Sequence, residues 1–593
     1  MEELFIPNAS RHDVSTFNIL VNDVALNPSY QVLSLTIVLE INRIPMVKLV
    51  IRDGDASKKG FEISDTEELA PGKKIKIKIG FDGTNTQVFK GVVVKHAVKI
   101  KGNGNSELHI ECFDEAVRMT IGRHSQYFEN MKDSQVFDEL VGKYRSNGLS
   151  CDAQVTSSLH KELVQHHIAD WDFLVLRAEA NGMLVNVEGG AIKIFKPNTS
   201  ADPVLQVTYG SSILEFEAEM DARNQFKTVE SKSWDFNNQQ LFTAAADSVP
   251  GFTESGNISG ATLAAILGPA KYELNHSGHV LEQELQNWAD GLLLRSRIAK
   301  IRGRAKVTGF SGVKPGDMVK LEGVGQRFKG KALVTAVRHE LGAGMWDTHI
   351  QFGLDPKPFA SQYKDIDASA SAGLSGGIRG LQIGIVVRLE NDPDSQDRIL
   401  VRLPVIDNTA QGIWTRMASL DAGSDRGAFF RPEIGDEVIV GFINDDPRDA
   451  VVLGMLHSSS KRAPITAKDV NHEKGFTTRS KMHLAFNDDT KTIKIDTPAG
   501  NSITLDEQGL KIEIKDQNSN KLTMDTSGIK LESPLNIDIK AGAILTLAAG
   551  ASLSVSAPAL SIKADASVGI EGATMKLASQ GPNIISGLPV MIN

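Results

Sequence analysis

Cysteine is nearly absent from this 593-residue chain: Cys112 and Cys151 stand alone. Two cysteines make no disulfide framework, and no Cys-x-x-Cys spacing offers a zinc site. Aromatic residues are also scarce at 6%, and from 487 to 593 there is no Phe, Trp, Tyr, His, Cys or Arg. A surface that stacks sugars or bases needs aromatics, so that stretch is excluded as one. No apolar run approaches the roughly 18 residues that a membrane-spanning helix requires. Basic charge is not in excess either. The net charge of −9 argues against a dedicated nucleic-acid binder, which needs phosphate-neutralising surface. The first residues, MEELFIPNAS, lack a basic segment followed by an apolar run. No secretory signal is expected, and synthesis in a cytoplasm is.

What fills 487–593 is aliphatic and β-branched residues alternating with Ser, Thr, Lys, Asp, Gly and Ala. In the second half the alternation becomes a ladder: Ile537, Leu545, Leu553, Leu560, Val568 and Met575. A companion ladder lies two residues on, at Ile539, Leu547, Val555, Ile562, Ile570 and Leu577. Period-2 alternation gives strands with one apolar face, and a short fixed repeat gives a solenoid or fibre. One such face cannot close a core within a single narrow chain. Copies of the same chain bury it most simply, so these twelve positions are the expected core of a self-associating β-prism. Between 541 and 580 only Lys563, Asp565, Glu571 and Lys576 are charged, against fifteen charged residues in 491–540. The prism is expected to grow smoother toward 593.

Upstream, a chain of this size divides into several domains. Residues 14–51 alternate as strands, and Lys73–Ile79 sets lysine on one face and isoleucine on the other. Asp82-Gly83 then marks a hairpin turn. Helices are predicted at 133–144, at 169–181 closed by Gly182, and at 281–301 with Leu285, Trp288, Leu292 and Leu293 at helical spacing. Residues 248–270 read as a loop or insertion, and Val313-Lys314-Pro315-Gly316-Asp317 as a turn. An Ala/Ser/Gly stretch at 366–380 reads as a linker. The expected division is a hub region over 1–365, that linker, a compact β-domain over 381–458, a connector over 459–480 and a spike over 481–593.

The middle block carries a resemblance. Gly384-Ile385-Val386-Val387 precedes Asp397-Arg398-Ile399-Leu400-Val401-Arg402-Leu403-Pro404. Trp414-Thr415-Arg416-Met417-Ala418, Pro432-Glu433-Ile434-Gly435-Asp436-Glu437 and Asp445-Asp446-Pro447-Arg448 follow. This order resembles the OB barrel of VgrG proteins and phage tail spikes. Asp170-Trp171-Asp172-Phe173-Leu174 with Ala178-Glu179-Ala180-Asn181-Gly182, and later His339-Glu340-Leu341, resemble the hub of VgrG and phage late-control proteins. The resemblance implies a mainly β fold with minor α: tandem barrel hub domains, an OB-fold barrel and an intertwined trimeric β-helix spike. It implies a structural homotrimer at the front of a contractile injection system, type VI or extracellular, assembled in a bacterial cytoplasm. The hub would adapt a hexameric inner tube and baseplate to a threefold, membrane-puncturing needle, with effector cargo as a further partner. A PAAR-repeat tip protein would sit on the last residues, Leu588, Pro589, Val590, Met591, Ile592 and Asn593, where a short apolar strand resumes after Gly581-Pro582.

Catalytic readings fare worse. His166-His167 beside Asp170 and Asp172 lacks the i, i+4 spacing that brings two histidines to one metal on a helix. His457, His472 and His483 share no converging spacing. Asp445-Asp446, followed by Pro447, reads as a turn rather than a carboxylate pair. Gly373-Leu374-Ser375-Gly376-Gly377 matches a nucleophile elbow in letters, but lies in the linker without a strand before it or a helix after. The connector at 459–480 between the OB block and the spike is too short for a lysozyme domain. Trp414, Phe429, Phe430 and Phe442 are expected mostly as OB core. No catalytic residue, metal site, cofactor or nucleic-acid partner is therefore expected. The alternatives are a trimeric phage tail adhesin or fibre, or a spike with cell-wall hydrolase activity.

Overall fold

The computed structural model describes residues 5–7, 14–102, 105–363, 365–367 and 369–592. The chain forms two compact units, Met1–Gly454 and Met455–Asn593; strands make most of the regular structure of the first, and the strands of the second lie within 473–532.

The first unit is organised by one 13-stranded sheet rather than by two separate ones. Strand Val32–Glu40 pairs with Gly330–Gly342 in antiparallel register, Thr36 opposite Glu340, and this pairing joins the two β cores of the unit. On one side of the seam lie Leu35, Ile37, Val47, Leu49, Ile75, Ile77 and Ile79. On the other lie Val207, Ala305, Val307, Val319, Val334, Ile350 and Phe352. The lysine/isoleucine strand Lys74–Phe81 obeys its alternation: Ile75, Ile77 and Ile79 are buried, while the lysines between them reach water. At Asp82-Gly83 the chain reverses with both residues at positive φ, 51° and 82°, and Phe81 pairs with Thr84. That is the backbone of a two-residue hairpin whose twist matches its strands.

The longest helices among the described residues are α1 (Asp133–Gly142), α2 (Asp170–Ala180), α3 (Gly260–Leu267) and α4 (Glu282–Ile298), with a single turn at Phe359–Gln362. Three fall where the apolar spacing predicts them. α3 falls inside 248–270, where a loop or insertion is expected. Ser259 caps it by accepting from the Thr262 N–H at 3.0 Å, and the run Ala-Thr-Leu-Ala-Ala-Ile-Leu that follows propagates it. Gly182 closes α2 with a φ of +66°. A Cβ placed there would lie 2.9 Å from the Gly291 Cα of α4, so the close approach of these helices requires glycine at both points.

The stretch 366–380 is held at both ends. Ile366 is buried in the core around α1 and α2, and the Ser371 hydroxyl and Ile378 N–H donate to the Asp445 carbonyl at 3.0 and 2.8 Å. Strands Gln382–Arg388, Ile399–Arg402, Ile413–Met417, Glu437–Phe442 and Ala450–Met455 then close a five-stranded barrel around Val386, Ile399, Val401, Val438, Val440 and Val452. Of the four aromatics expected mostly in that core, only Phe442 packs against it. Phe429 and Phe430 are 83% and 55% exposed, because they sit in the long loop before Glu437–Phe442 rather than on a barrel strand.

The second unit begins its sheet earlier than 481. Strand Glu473–Thr477, within the expected connector, starts a seven-stranded antiparallel meander that ends at Gly528–Glu532. Its reversals are built by side-chain acceptors: Asn487 takes the N–H of Asp489 and Thr490, Asp506 that of Gly509, Asp516 that of Asn518 and Asn520, and Asp525 that of Ser527. No helix among the described residues is long and apolar enough to cross a membrane.

Candidate functional site

Register decides which side chains of the meander share a face. Leu484, Ile495, Ile503, Ile514, Leu522 and Leu531 stand directly opposite one another across successive strands. Phe486, Ile493, Leu505, Ile512, Met524 and Ile529 form a second row, two residues away on each strand and therefore on the same face. The other face carries Lys494, Thr504, Glu513, Thr523 and Lys530 in line. Lys521 and Glu513 form an ion pair at 2.8 Å on that polar side, and Lys521 holds the Glu513 carboxyl below its usual range.

The apolar face is uncovered within the chain. Along the second row exposure runs from 38% at Ile493 to 75% at Ile529. A groove of about 510 Å³ lies along the first row, walled by Ile495, Ile503, Ile514, Leu522 and Leu531. Contiguous exposed apolar surface is characteristic of interaction surfaces.

The two ladders read from sequence continue beyond the sheet. Ile537, Ile539, Leu545, Leu547, Leu553, Val555, Leu560, Ile562, Val568, Ile570, Met575 and Leu577 are all exposed, from 49% at Ile537 to 70% at Ile570. The described residues from 536 onward form no strand pair and no backbone-to-backbone hydrogen bond with the rest of the chain. Peptide groups of a folded segment are normally paired. Leu588, Pro589, Val590, Met591 and Ile592 are exposed at its end, and Asn593 lies outside the described residues. The rows at 484–531 are not among the positions expected from sequence. Their signal is aliphatics at i and i+2 in five-residue strands separated by Asn/Asp turns.

The residues considered for chemistry do not converge. His166 and His167 end strand Leu159–Ile168 and are exposed, with the His167 N–H donating to Ser125 Oγ at 2.9 Å. Asp170 is fully buried at the start of α2. Its carboxylate accepts from Lys143 Nζ at 3.2 and 3.3 Å, Tyr144 Oη at 3.0 Å and Gln165 Nε2 at 2.7 Å, which anchors the helix. Asp172 is partly buried, and its carboxyl is raised by that burial. Asp446 is taken up by the Arg448 guanidinium at 2.6 Å, which holds its carboxyl down to about 2, and Asn444 and Asp445 turn the chain at positive φ. Ser375 follows a short 3-10 turn, Ala370–Gly373, with no strand before it. His483 Nδ1 lies 3.2 Å from Asp496, with His457 and His472 elsewhere. Among the described residues no group of three or more His, Cys, Asp or Glu could hold a metal ion.

Residues 382–457 match the family model described as the type VI secretion system/phage-baseplate injector OB domain. The type VI secretion system spike protein VgrG3 of Vibrio cholerae serotype O1 is 33% identical over 76 residues, 13% of this chain and 7% of the relative. The chain thus spans a small part of that relative's length. A tail protein from Neisseria meningitidis MC58 aligns with a TM-score of 0.44 at 15% identity, covering 58% of this chain and 97% of that one. The E. coli c3393 protein, a component of the type VI secretion system, aligns with a TM-score of 0.37 at 12% identity, covering 74% of this chain and 99% of that one. Neither likeness reaches a TM-score that bears on function. Residues 11–343, more than half of the chain, match the family model of the Alg8 N-terminal domain. The chain belongs to the Alg8 N-terminal domain family, and behind that domain it carries a segment that matches the injector OB domain.

Proposed function

We propose that the chain works as a homotrimer, with residues 473–577 of three copies wound into one needle. The observation that carries this reading is the double row of aliphatics, uncovered on a sheet whose other face is charged. Three identical faces turned inward would remove the rows from water and leave Lys494, Glu513 and Lys530 outside. The ladders from Ile537 to Leu577 would extend the same dry axis, and their unpaired backbone would find partners in neighbouring copies. In this role the hub meets a hexameric inner tube and baseplate, and the needle punctures a target membrane on ejection. The particle assembles in the cytoplasm. Exposed Leu588, Met591 and Ile592 support a docking face for a PAAR-repeat tip protein, with effector cargo carried as separate chains. The chain itself is read as non-enzymatic, in keeping with a relative named as a spike protein. Light scattering of the purified chain at micromolar concentration tests the reading: three times 64.2 kDa is expected, and a monomer refutes it.

A further inference from the structure

The C-terminal end of α4 brings two cations, Arg297 and Lys300, against the segment 248–270. Lys300 is 2% exposed and fully occupied: it pairs with Glu254 and donates to the carbonyls of Ser255 at 2.8 Å and Ile258 at 3.0 Å. Glu254 is used a second time, accepting the Gly260 N–H at 3.0 Å. Arg297 is 7% exposed and differs sharply. Its guanidinium makes no hydrogen bond or ion pair to any described residue, and its Nη1 is fully enclosed. A guanidinium does not lose its proton in a protein, and a buried charge without a counter-charge is among the costliest features a fold can carry.

An orphan acceptor, which calls for a donor rather than an anion, lies nearby. Gln225 donates through Nε2 to the Ser296 carbonyl, while its Oε1 is enclosed without a partner. Both groups flank Gly260: a Cβ placed there would lie 2.9 Å from Gln225 Oε1 and 3.1 Å from Arg297 Nε. Arg297 and Lys300 both line a cavity of about 40 Å³, together with Thr199, Thr253 and Ser255. A water needs roughly 10–15 Å³ by the same measure, so the space admits one small guest or a few waters.

Charge chooses between those occupants. Lys331, the third cation on the wall, pairs with Asp202 at 3.7 Å and donates to the carbonyls of Ser200 at 3.1 Å and Ala201 at 2.9 Å. Beside the cavity buried Arg297 and Lys300 then face Glu254 alone, and Glu254 is itself exposed. The negative end of α4 offsets only part of the difference, about half a charge shared with Arg295 in the same turn. Water would satisfy donors and leave the charge; an anion satisfies both. Burial pushes the Arg297 guanidinium below its ordinary value, with Glu254 the only charge acting against this. We propose that this cavity binds a small monovalent inorganic anion of the size of chloride on Arg297, pinning the 248–270 segment to α4.

Crystals of the full chain grown in bromide test this directly. An anomalous peak in the cavity against Arg297 is expected, and an ordered water there without anomalous signal overturns the proposal. Melting in chloride against gluconate at equal ionic strength gives a second readout. The hub transition is expected to rise saturably with chloride, and Arg297→Met to abolish that dependence. A chloride shift that Arg297→Met retains refutes the assignment. Should that variant not fold, the bromide map decides, and Arg297→Lys, which keeps the charge but not the fork, is expected to retain a weaker chloride dependence.

Discussion

Placing a carboxylate inside the aliphatic rows is the sharpest test of the needle. Ile503 stands opposite Ile495 on one side and Ile514 on the other, and is 40% exposed in one chain. Completing the burial of an isoleucine already more than half covered contributes about 1 kcal/mol per copy. Ile503→Asp forfeits this and sets three carboxylates at one level of a dry axis, each costing several kcal/mol unless protonated. The sum is on the order of 10 kcal/mol per trimer. The chain's own sheet is hardly affected, because the introduced carboxylate would remain at the water-facing surface of an isolated copy. Thr504→Asp is the control, one residue away on the opposite face, between Lys494 and Glu513. Native mass spectrometry and the temperature at which the trimer dissociates in SDS report the difference. Ile503→Asp is expected to dissociate far below the wild type, and Thr504→Asp close to it. Equal dissociation temperatures for the two variants would show that this face is not the trimer core.

Deleting 588–593 is expected to abolish binding of a separately produced PAAR-repeat protein while the trimer mass is unchanged; binding that survives puts the docking face elsewhere. Arg177 bridges buried Asp133, at 2.6 and 3.0 Å, and Glu284 at 2.7 Å, so Arg177→Met is expected to destabilise the hub by about 3–5 kcal/mol in urea titration. A loss under about 1 kcal/mol would contradict the role assigned to that network. His339 is buried, with Nδ1 facing the Thr348 hydroxyl at 3.0 Å and the Trp346 N–H at 3.4 Å, and burial holds its pKa down to about 3. Its folded value lies below the unfolded one near 6.5, so its contribution is complete above about pH 6.5 and is lost as pH falls toward 3, at about 1.4 kcal/mol per unit. His339→Gln is expected to flatten that part of the hub's stability profile, and an unchanged slope refutes the assignment. Purified chain is expected to release no soluble fragments from peptidoglycan or polysaccharide; turnover that persists through purification would make it an enzyme.

Local pattern alone determined a good deal of this protein. The alternation of Lys74–Phe81, the Asp82-Gly83 hairpin and helices α1, α2 and α4 are all legible along the chain. Each depends on residues within a turn or two of one another, where periodicity and turn chemistry act directly. α3 could have been read in the same way from Ser259 and the residues after it, but the surrounding Ser, Thr and Gly masked it. Tertiary structure alone decided the rest. Nothing near Thr36 announces that its neighbour is Glu340, because that pairing repays a chain closure of some three hundred residues only when both β cores form together. Nor does the sequence show that the aliphatics of 484–531 fall into two unbroken rows. That depends on the length of every reversal, since a one-residue slip in any strand would turn its row to the charged face. The unpaired Arg297 belongs to the same class. An arginine at a helix end reads as solvated until α4, the 248–270 segment and the second β core close around it.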